Sequence, residues 1–451
     1  MDPNIVLPRE IRLFEYDTCS DQKTATALFE RRASLQSYLN KQWLTLGFEN
    51  QLPCVRATHQ VGILPFSDEA STHLLFVAPK GCRDEFDLGL RRFLELLAVG
   101  NSDAPLVKIP DGWQGKPAAH KFLLFLAHHY AHLLKELCRY DFRSYYRSEE
   151  GDLRSHIRGR LHVAIYARRA VSGKSHLLPC RWEEFTVDNW DNRILWAAAR
   201  RLKQVAGAID AQAAAWVWRP FRPLLPWFSA VAEVPITPDD FRKSRLGRTS
   251  RFYREALSWA RLLLQGSDVP SAGGRVPPLV LDANKAFEQF ANVVVRAAMP
   301  DISWRVMEQE CLDFRAGDVP IRPDLLLRDS GNVVRAIGDT KYKLVVEEVP
   351  SSQRQSETPE ESVRVRIKSS DWYQLYVYMR TANTSRGFFV VPFWSKDGAA
   401  IRWMPQGEFC VPPCGSESQL AVLCLNLLQP IKSVKDQAAA RLRHWLSESQ
   451  S

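Results

Sequence analysis

The stretch from Ile321 to Lys343, IRPDLLLRDSGNVVRAIGDTKYK, decides how the rest of the chain is read. Two apolar runs, Ile321 to Leu327 and Val333 to Ile337, flank Asp329-Ser330-Gly331-Asn332, a composition that favours a reversing turn. The pattern predicts a β-hairpin that folds back near Gly331. Alternate side chains of a strand share a face, so Asp339 and Lys341 project together. Antiparallel pairing then carries Asp324 to within about one residue of the position opposite Asp339. Two carboxylates and one ammonium converge on a small patch. Carboxylate oxygens suit Mg2+, and a lysine beside them can steady an attacking water or a developing phosphorane charge.

Outward from the hairpin, the order of elements is that of an α/β domain. A helix is expected over Leu279 to Ala298, a strand near Trp304, and, after the hairpin, a helix capped by Ser370-Asp371 and running to Thr381. Gly387 to Val391 reads as a buried strand. Between them, Glu347 to Lys368 is charged, rich in Ser, Gln and Glu, and carries Pro350 and Pro359, the composition of an insertion. Upstream, GSDVPSAGGRVPP from Gly266 to Pro278 is the clearest linker, because glycine, serine and proline discourage both helix and sheet. Four regions follow: a mixed α/β segment 1–117, a mainly helical segment 118–265, the linker 266–278 and an α/β domain 279–451.

The first region contains a strand at Leu74 to Ala78, stopped by Pro79-Lys80-Gly81, and helical apolar spacing from Phe86 to Val99. The second repeats apolar residues at three and four positions through Leu123 to Leu137, Ile194 to Val205 and Ala256 to Leu264. Leu161 to Tyr166 reads as a strand between these helices. No internal repeat is visible.

Composition bounds the function. The chain has 451 residues, 45% hydrophobic and 25% charged, which is an ordinary globular balance with room for two or three cores. No apolar run approaches bilayer length, the longest being Phe122 to Ala127, and the N-terminus lacks a basic, apolar leader, so no membrane partner and a cytoplasmic location are expected. Nine scattered cysteines fit reduced thiols better than a disulfide framework. A net charge of +9 favours a polyanionic partner.

Asp324, Asp339 and Lys341, with Pro323 before the first, form the P-D…(D/E)-x-K pattern of a large nuclease superfamily. Glu288, in Lys285-Ala286-Phe287-Glu288-Gln289-Phe290, lies on the preceding helix and could complete a metal site from the side; a helix carboxylate is otherwise a solvated surface group. Pro323-Asp324 through Asp339-Thr340-Lys341-Tyr342-Lys343, followed by Asp371-Trp372-Tyr373-Gln374-Leu375-Tyr376, resembles the nuclease domain of the McrC family, the cleavage subunit of GTP-dependent restriction systems. Leu281 to Glu288 resembles that family's helix leading into the domain. Val61-Gly62, Leu75 to Lys80, and Cys180 to Phe185 with Asp188, Asn192 and Arg193 are similar to its upstream pattern. One departure is Thr340, where the family commonly has alanine.

The resemblance implies a PD-(D/E)xK restriction-endonuclease-like α/β domain behind a partner-docking N-terminal region. It implies a Mg2+-dependent DNA endonuclease working with an McrB-like AAA+ GTPase ring on double-stranded, modified DNA such as 5-methylcytosine sites, and stimulating the ring's GTP hydrolysis. In those terms Asp324 and Asp339 hold the metal and Lys341 orients the water. Glu288 and Gln374 are supporting candidates, Gln374 through an amide able to position water or a phosphate oxygen.

Gly173-Lys174-Ser175 is the one phosphate-loop look-alike, but the full motif needs glycine where Arg168 stands, so GTP is expected on the partner. Arg242, Lys243, Arg245, Arg248, Arg251 and Arg254 form a basic run interleaved with Phe241, Phe252 and Tyr253; a second cluster covers Arg154, Arg158, Arg160, Arg168, Arg169 and Lys174. Contact with DNA phosphates or with the GTPase ring stands against a solvated arginine-rich surface. His128, His129 and His132 lack the glutamate of an HExxH zinc site and a further ligand. Cys410 and Cys414 read as thiols in a proline turn. Two other functions stay open: a non-catalytic adaptor that regulates the GTPase and binds DNA, and a nuclease served by a different motor.

Overall fold

The computed structural model describes residues 10–67, 72–101, 116–245, 248, 250–265, 278–299, 304–312, 321–342, 346–348, 363–365, 367–396, 399–409 and 418–447. The linker residues 266–277, the prolines and cysteines at 350, 359, 410 and 414, and Lys343 lie outside them. The chain divides into two compact units, one built from Met1–Leu106 and Val280–Ser451, the other from Val107–Leu279. The sequence reading separates 1–117 from 279–451, yet the chain leaves the first unit and returns to it. The reason is a four-stranded sheet to which Leu279–Asp282 adds a strand beside Gln60–Ser67.

In the first unit, a six-stranded sheet runs in the order Arg305–Glu308, Leu325–Arg328, Val334–Thr340, Arg386–Phe393, Ser418–Asn426, Ile401–Phe409. Its centre is parallel, with Val334–Thr340 against Arg386–Phe393 and that strand against Ser418–Asn426, and its edges are antiparallel. Central parallel strands are covered on both faces, which explains the unbroken burial of Arg386–Phe393. Phe389 packs with Leu375, Met379 and Ile337 beneath the helix Ser369–Thr381. Phe388, pointing the other way, meets Trp445 of the helix Ile431–Ser447. Gly338 is needed for this packing, since a Cβ there would come within 2.5 Å of the Phe388 ring.

The hairpin forms where expected, with Leu325 opposite Gly338 and Leu327 opposite Ala336. Its turn differs in detail. Asn332, not Gly331, takes the left-handed conformation, at φ 62°. Asp329 holds the turn by accepting from Val333 N–H at 2.9 Å through Oδ1 and pairing with Arg335 at 2.6 Å.

A second sheet in this unit orders Glu10–Phe14, Thr72–Ala78, Gln60–Ser67 and Leu279–Asp282. Leu279–Asp282, expected to open a helix, is therefore a strand. The helix begins at Ala283, where Asp282 accepts from Lys285 N–H at 3.0 Å as its N-cap, and runs to Ala298. The helix Ser369–Thr381 likewise starts without the expected side-chain cap, Lys368 occupying that position. Within the charged segment 347–368, Val346–Glu348 pairs with Val363–Val365.

The second unit is helical, with Ala118–Tyr140, Trp190–Ile209 and Arg251–Leu264, but it also carries an antiparallel sheet of Tyr145–Leu153, Leu178–Thr186 and Arg160–Leu161. Of the strand expected at 161–166 only Leu161 pairs, in the short strand Arg160–Leu161. The chain then turns into the helix Val163–Val171, with Tyr166 N–H donating to the His162 carbonyl at 2.9 Å. No helix among the described residues is long and apolar enough to cross a membrane.

Candidate active site

The hairpin register places Asp324 at the mouth of its strand, one step beyond the Leu325–Gly338 pair and so opposite Asp339. Thr340 locks it there. Its backbone N–H and its hydroxyl both donate to Asp324 Oδ2, at 2.8 and 2.7 Å. The departure from the family's alanine thus adds a hydroxyl that holds a carboxylate in place.

Asp339 is buried, and Lys341 Nζ lies 2.7 Å from its Oδ2. That oxygen receives no hydrogen bond of regular geometry among the described residues, so the ammonium faces it as an ion-pair partner. Burial, then repulsion from Asp324, pushes the Asp339 carboxyl up to about 6 despite Lys341. Lys341 is raised as well, but for a different reason. Burial alone would lower it, but the carboxylates of Asp339, Asp371 and Asp324 outweigh burial and hold it above its ordinary value.

The helix Ser369–Thr381 supplies the far wall. Lys341 donates to Gln374 Oε1 at 3.3 Å, and Gln374 Nε2 donates to Tyr378 OH at 2.6 Å. Asp371 stands 3.8 Å from Lys341 Nζ. The sequence reading assigns Asp371 only to a cap. Its signal was its place one helical turn before Gln374, which puts both on the same face.

Glu288 does not close a three-carboxylate cluster. Its Oε1 accepts from Gln309 Nε2 at 2.9 Å, and burial followed by the Asp324 charge raises its carboxyl. Among the described residues no group of three His, Cys, Asp or Glu side chains converges to hold a metal. Asp324 and Asp339 nonetheless fit Mg2+, which takes one or two carboxylates and fills the remaining positions with water or phosphate oxygens. The observation behind that fit is the buried Asp339 Oδ2 that lacks a regular hydrogen bond, beside a second carboxylate that raises its pKa.

The basic run lies in the second unit, on a cleft of about 560 Å³ lined by Arg242, Lys243, Arg245, Tyr145, Tyr146 and Trp190 among others. Lys243 pairs with Asp240 at 2.7 Å and stands 3.9 Å over the Trp190 ring, and Arg251 pairs with Glu255 at 2.9 Å. Arg242, Arg245 and Arg248 are exposed. Asp188, Asn192 and Arg193 build the floor beneath. Asp188 takes both Arg193 nitrogens at 2.6 Å, while Asn192 accepts from Tyr253 OH at 2.8 Å. Their role is to join strand end to helix start.

The phosphate-loop look-alike is a helix end. Gly173, at φ 74°, and Lys174 donate their N–H groups to Ala170 and Arg169 carbonyls. His129 is a core histidine, wedged between Phe125 and Trp259, with its pKa lowered to about 4 by burial.

A family model described as McrBC 5-methylcytosine restriction system component matches residues 55–392. Among solved structures, a chain of the half-complex from the tetradecameric assembly of Thermococcus gammatolerans McrB AAA+ hexamers with bound McrC aligns over 97% of this chain and 100% of its own length, at 18% identity and TM-score 0.52. A chain of the Thermococcus gammatolerans McrBC complex aligns over 65% of this chain and 89% of its own, also at 18% identity, with TM-score 0.38. No curated protein matches. With three-quarters of its length inside the family model, this chain belongs to the McrBC 5-methylcytosine restriction system components, on the McrC side that its hairpin motif resembles.

Proposed function

We propose that the chain is the Mg2+-dependent DNA endonuclease subunit of a GTP-dependent, modification-dependent restriction complex. The carrying observation is the triplet of Asp324, Asp339 and Lys341, in which a buried carboxylate oxygen faces an ammonium at 2.7 Å beside a second carboxylate held by Thr340. Pairing of carboxylates at that depth is costly for a surface that only binds DNA, because two like charges oppose each other and the phosphates. The cost suits hydrolysis. Mg2+ on Asp324 and Asp339 would supply charge neutralisation at the scissile phosphate.

The chain's own side chains do the rest. Lys341 donates to a water and aligns it with phosphorus, while Asp371 and Gln374 hold the ammonium from the helix side. Attack forms the new P–O bond, breaks the bond to the leaving sugar oxygen, and passes the water's proton to solvent. Glu288 shapes the field from the helix Ala283–Ala298.

The partner in this reading is an AAA+ GTPase ring like the McrB hexamers in the fold relative, and GTP is bound and hydrolysed there. This chain stimulates that hydrolysis. Exposed Arg245 and Arg248 are the basic residues we assign first to DNA phosphate or ring contact; Arg242, Lys243 and Arg251 also stand against Asp239, Asp240 and Glu255.

The test combines the purified chain, its McrB-like GTPase partner, GTP and 5-methylcytosine DNA, with and without Mg2+. Cleavage that requires both GTP and Mg2+ is expected. Stimulated GTP hydrolysis with no cleavage under Mg2+ or Mn2+ would instead make the chain a regulatory adaptor.

A further inference from the structure

The residue after Lys341 is held more firmly than packing requires. Tyr342 is 6% exposed, and both its polar atoms are gripped by residues far away in the chain but in the same unit. Its hydroxyl donates to Glu15 Oε1 at 2.6 Å, and its carbonyl accepts from Lys80 Nζ at 3.2 Å. Glu15 Oε1 also accepts from the Lys80 N–H at 2.9 Å. The ring is enclosed by Phe287 at 5.4 Å and Trp394 at 5.9 Å, and the Lys80 ammonium stands 4.8 Å from its centre. On the other side, Lys341 N–H donates to the Val390 carbonyl at 3.0 Å. The peptide that carries Lys341 is thus clamped at both ends.

A buried aromatic needs none of this polar apparatus, since phenylalanine would fill the same volume. Glu15 is fully buried, its Oε2 has no hydrogen-bond partner among the described residues, and burial pushes its carboxyl up to about 7 even with Lys80 beside it. A carboxyl in that position destabilises the fold unless it fixes something. What it touches is Tyr342. Tyr342 in turn adjoins the one ammonium that faces Asp339.

We propose that Tyr342, held by Glu15 and Lys80, is a positioning residue for Lys341, so that the N-terminal sheet sets the rate of the hydrolytic step. The inference rests on the nuclease reading above. It accounts for why the segments 10–101 and 280–447 fold as one unit. Glu15 follows the strand Glu10–Phe14 and Lys80 comes just after the strand Thr72–Ala78, so a shift of that sheet moves the clamp.

The experiment uses the full chain with its GTPase partner, GTP, Mg2+ and 5-methylcytosine DNA. Tyr342→Phe keeps the ring and removes the donor; Glu15→Gln keeps an acceptor for the tyrosine. Asp339→Asn is the control for the nuclease reading. Cleavage by Tyr342→Phe should fall about tenfold in kcat, with DNA KM, Mg2+ half-saturation and GTP hydrolysis unchanged, because lysine placement alone is disturbed. Glu15→Gln should keep most of the rate. Adding Glu15→Gln to Tyr342→Phe should cost nothing further. A wild-type kcat in Tyr342→Phe overturns the proposal, as does a loss that appears equally in KM, Mg2+ dependence and GTP hydrolysis. If Asp339→Asn also cuts normally, the nuclease reading itself is what fails.

Discussion

Glu15→Gln should change the pH dependence of stability in a direction fixed by burial. Glu15 is fully buried, and its carboxyl is raised from 4.5 to about 7, with desolvation the largest cause and Lys80 the main opposing one. The folded unit therefore holds this proton more tightly than the unfolded chain does. Below pH 4.5 both states are protonated and no penalty exists. Between pH 4.5 and 7 the unfolded state ionises first, so stability falls as pH rises, and the loss is complete above about 7. A difference of about 2.5 units corresponds to about 3 kcal/mol. Asp339, raised to about 6, contributes in the same direction. Subtracting Glu15→Gln from wild type removes the Asp339 contribution, since Asp339 titrates in both proteins, and leaves that of Glu15. The assay is a urea series at pH 4.5 to 8, with unfolding of Glu10–Phe14 and Val334–Thr340 read by a common hydrogen-exchange pulse. The difference between variant and wild type should grow by about 3 kcal/mol over that range in favour of the variant. A flat difference, or one that grows toward acid, would refute the reasoning.

Gly338→Ala should cost about 1–3 kcal/mol, because its Cβ would meet the buried Phe388 ring, itself packed on Trp445; a thermal melt indistinguishable from wild type would contradict this. Thr340→Ala removes the 2.7 Å hydroxyl bond but leaves the 2.8 Å backbone bond to Asp324, so cleavage should fall by less than about tenfold. A loss as large as that of Asp339→Asn would mean the hydroxyl does more than hold Asp324. His129→Leu should flatten an acid loss of stability. His129 is lowered to about 4 by burial, so wild type loses up to about 3 kcal/mol as pH drops from 6.5 to 4, while the variant does not. Denaturation at pH 4.5 and 7.5 separates the two, and added zinc should change neither.

How much of this was legible in the chain follows from which interactions are local. Turn composition and alternation gave the hairpin, and folding back near Gly331 put Asp324 within about a residue of the position opposite Asp339, because an antiparallel register depends only on nearby residues. The identity of the left-handed residue was not legible. Asn332 and Gly331 both tolerate positive φ, and the choice is made by Asp329 capping Val333 N–H. Leu161 to Tyr166 read as a strand, but the chain turns into the helix Val163–Val171 directly after the paired Arg160–Leu161, and β propensity alone does not exclude a helix. Asp371 was read only as a cap, because its facing of Lys341 requires the helix to pack on the same sheet face as Ile337. The Tyr342–Glu15 bond, spanning 327 positions, could not be read from any local pattern. Nor could the joining of the first hundred residues to the C-terminal segment, which depends on Leu279–Asp282 pairing as a strand beside Gln60–Ser67.

The most direct measurement is the cleavage rate of Asp339→Asn and Lys341→Ala assembled with the GTPase partner on 5-methylcytosine DNA. Stimulated GTP hydrolysis is recorded in the same tubes as proof of folding and assembly. Asparagine keeps the size of Asp339 but removes the charge that faces Lys341 and would hold Mg2+. Both variants should lose cleavage by at least about a thousandfold while stimulating GTP hydrolysis at the wild-type rate. Cleavage at the native rate by either one would contradict the account.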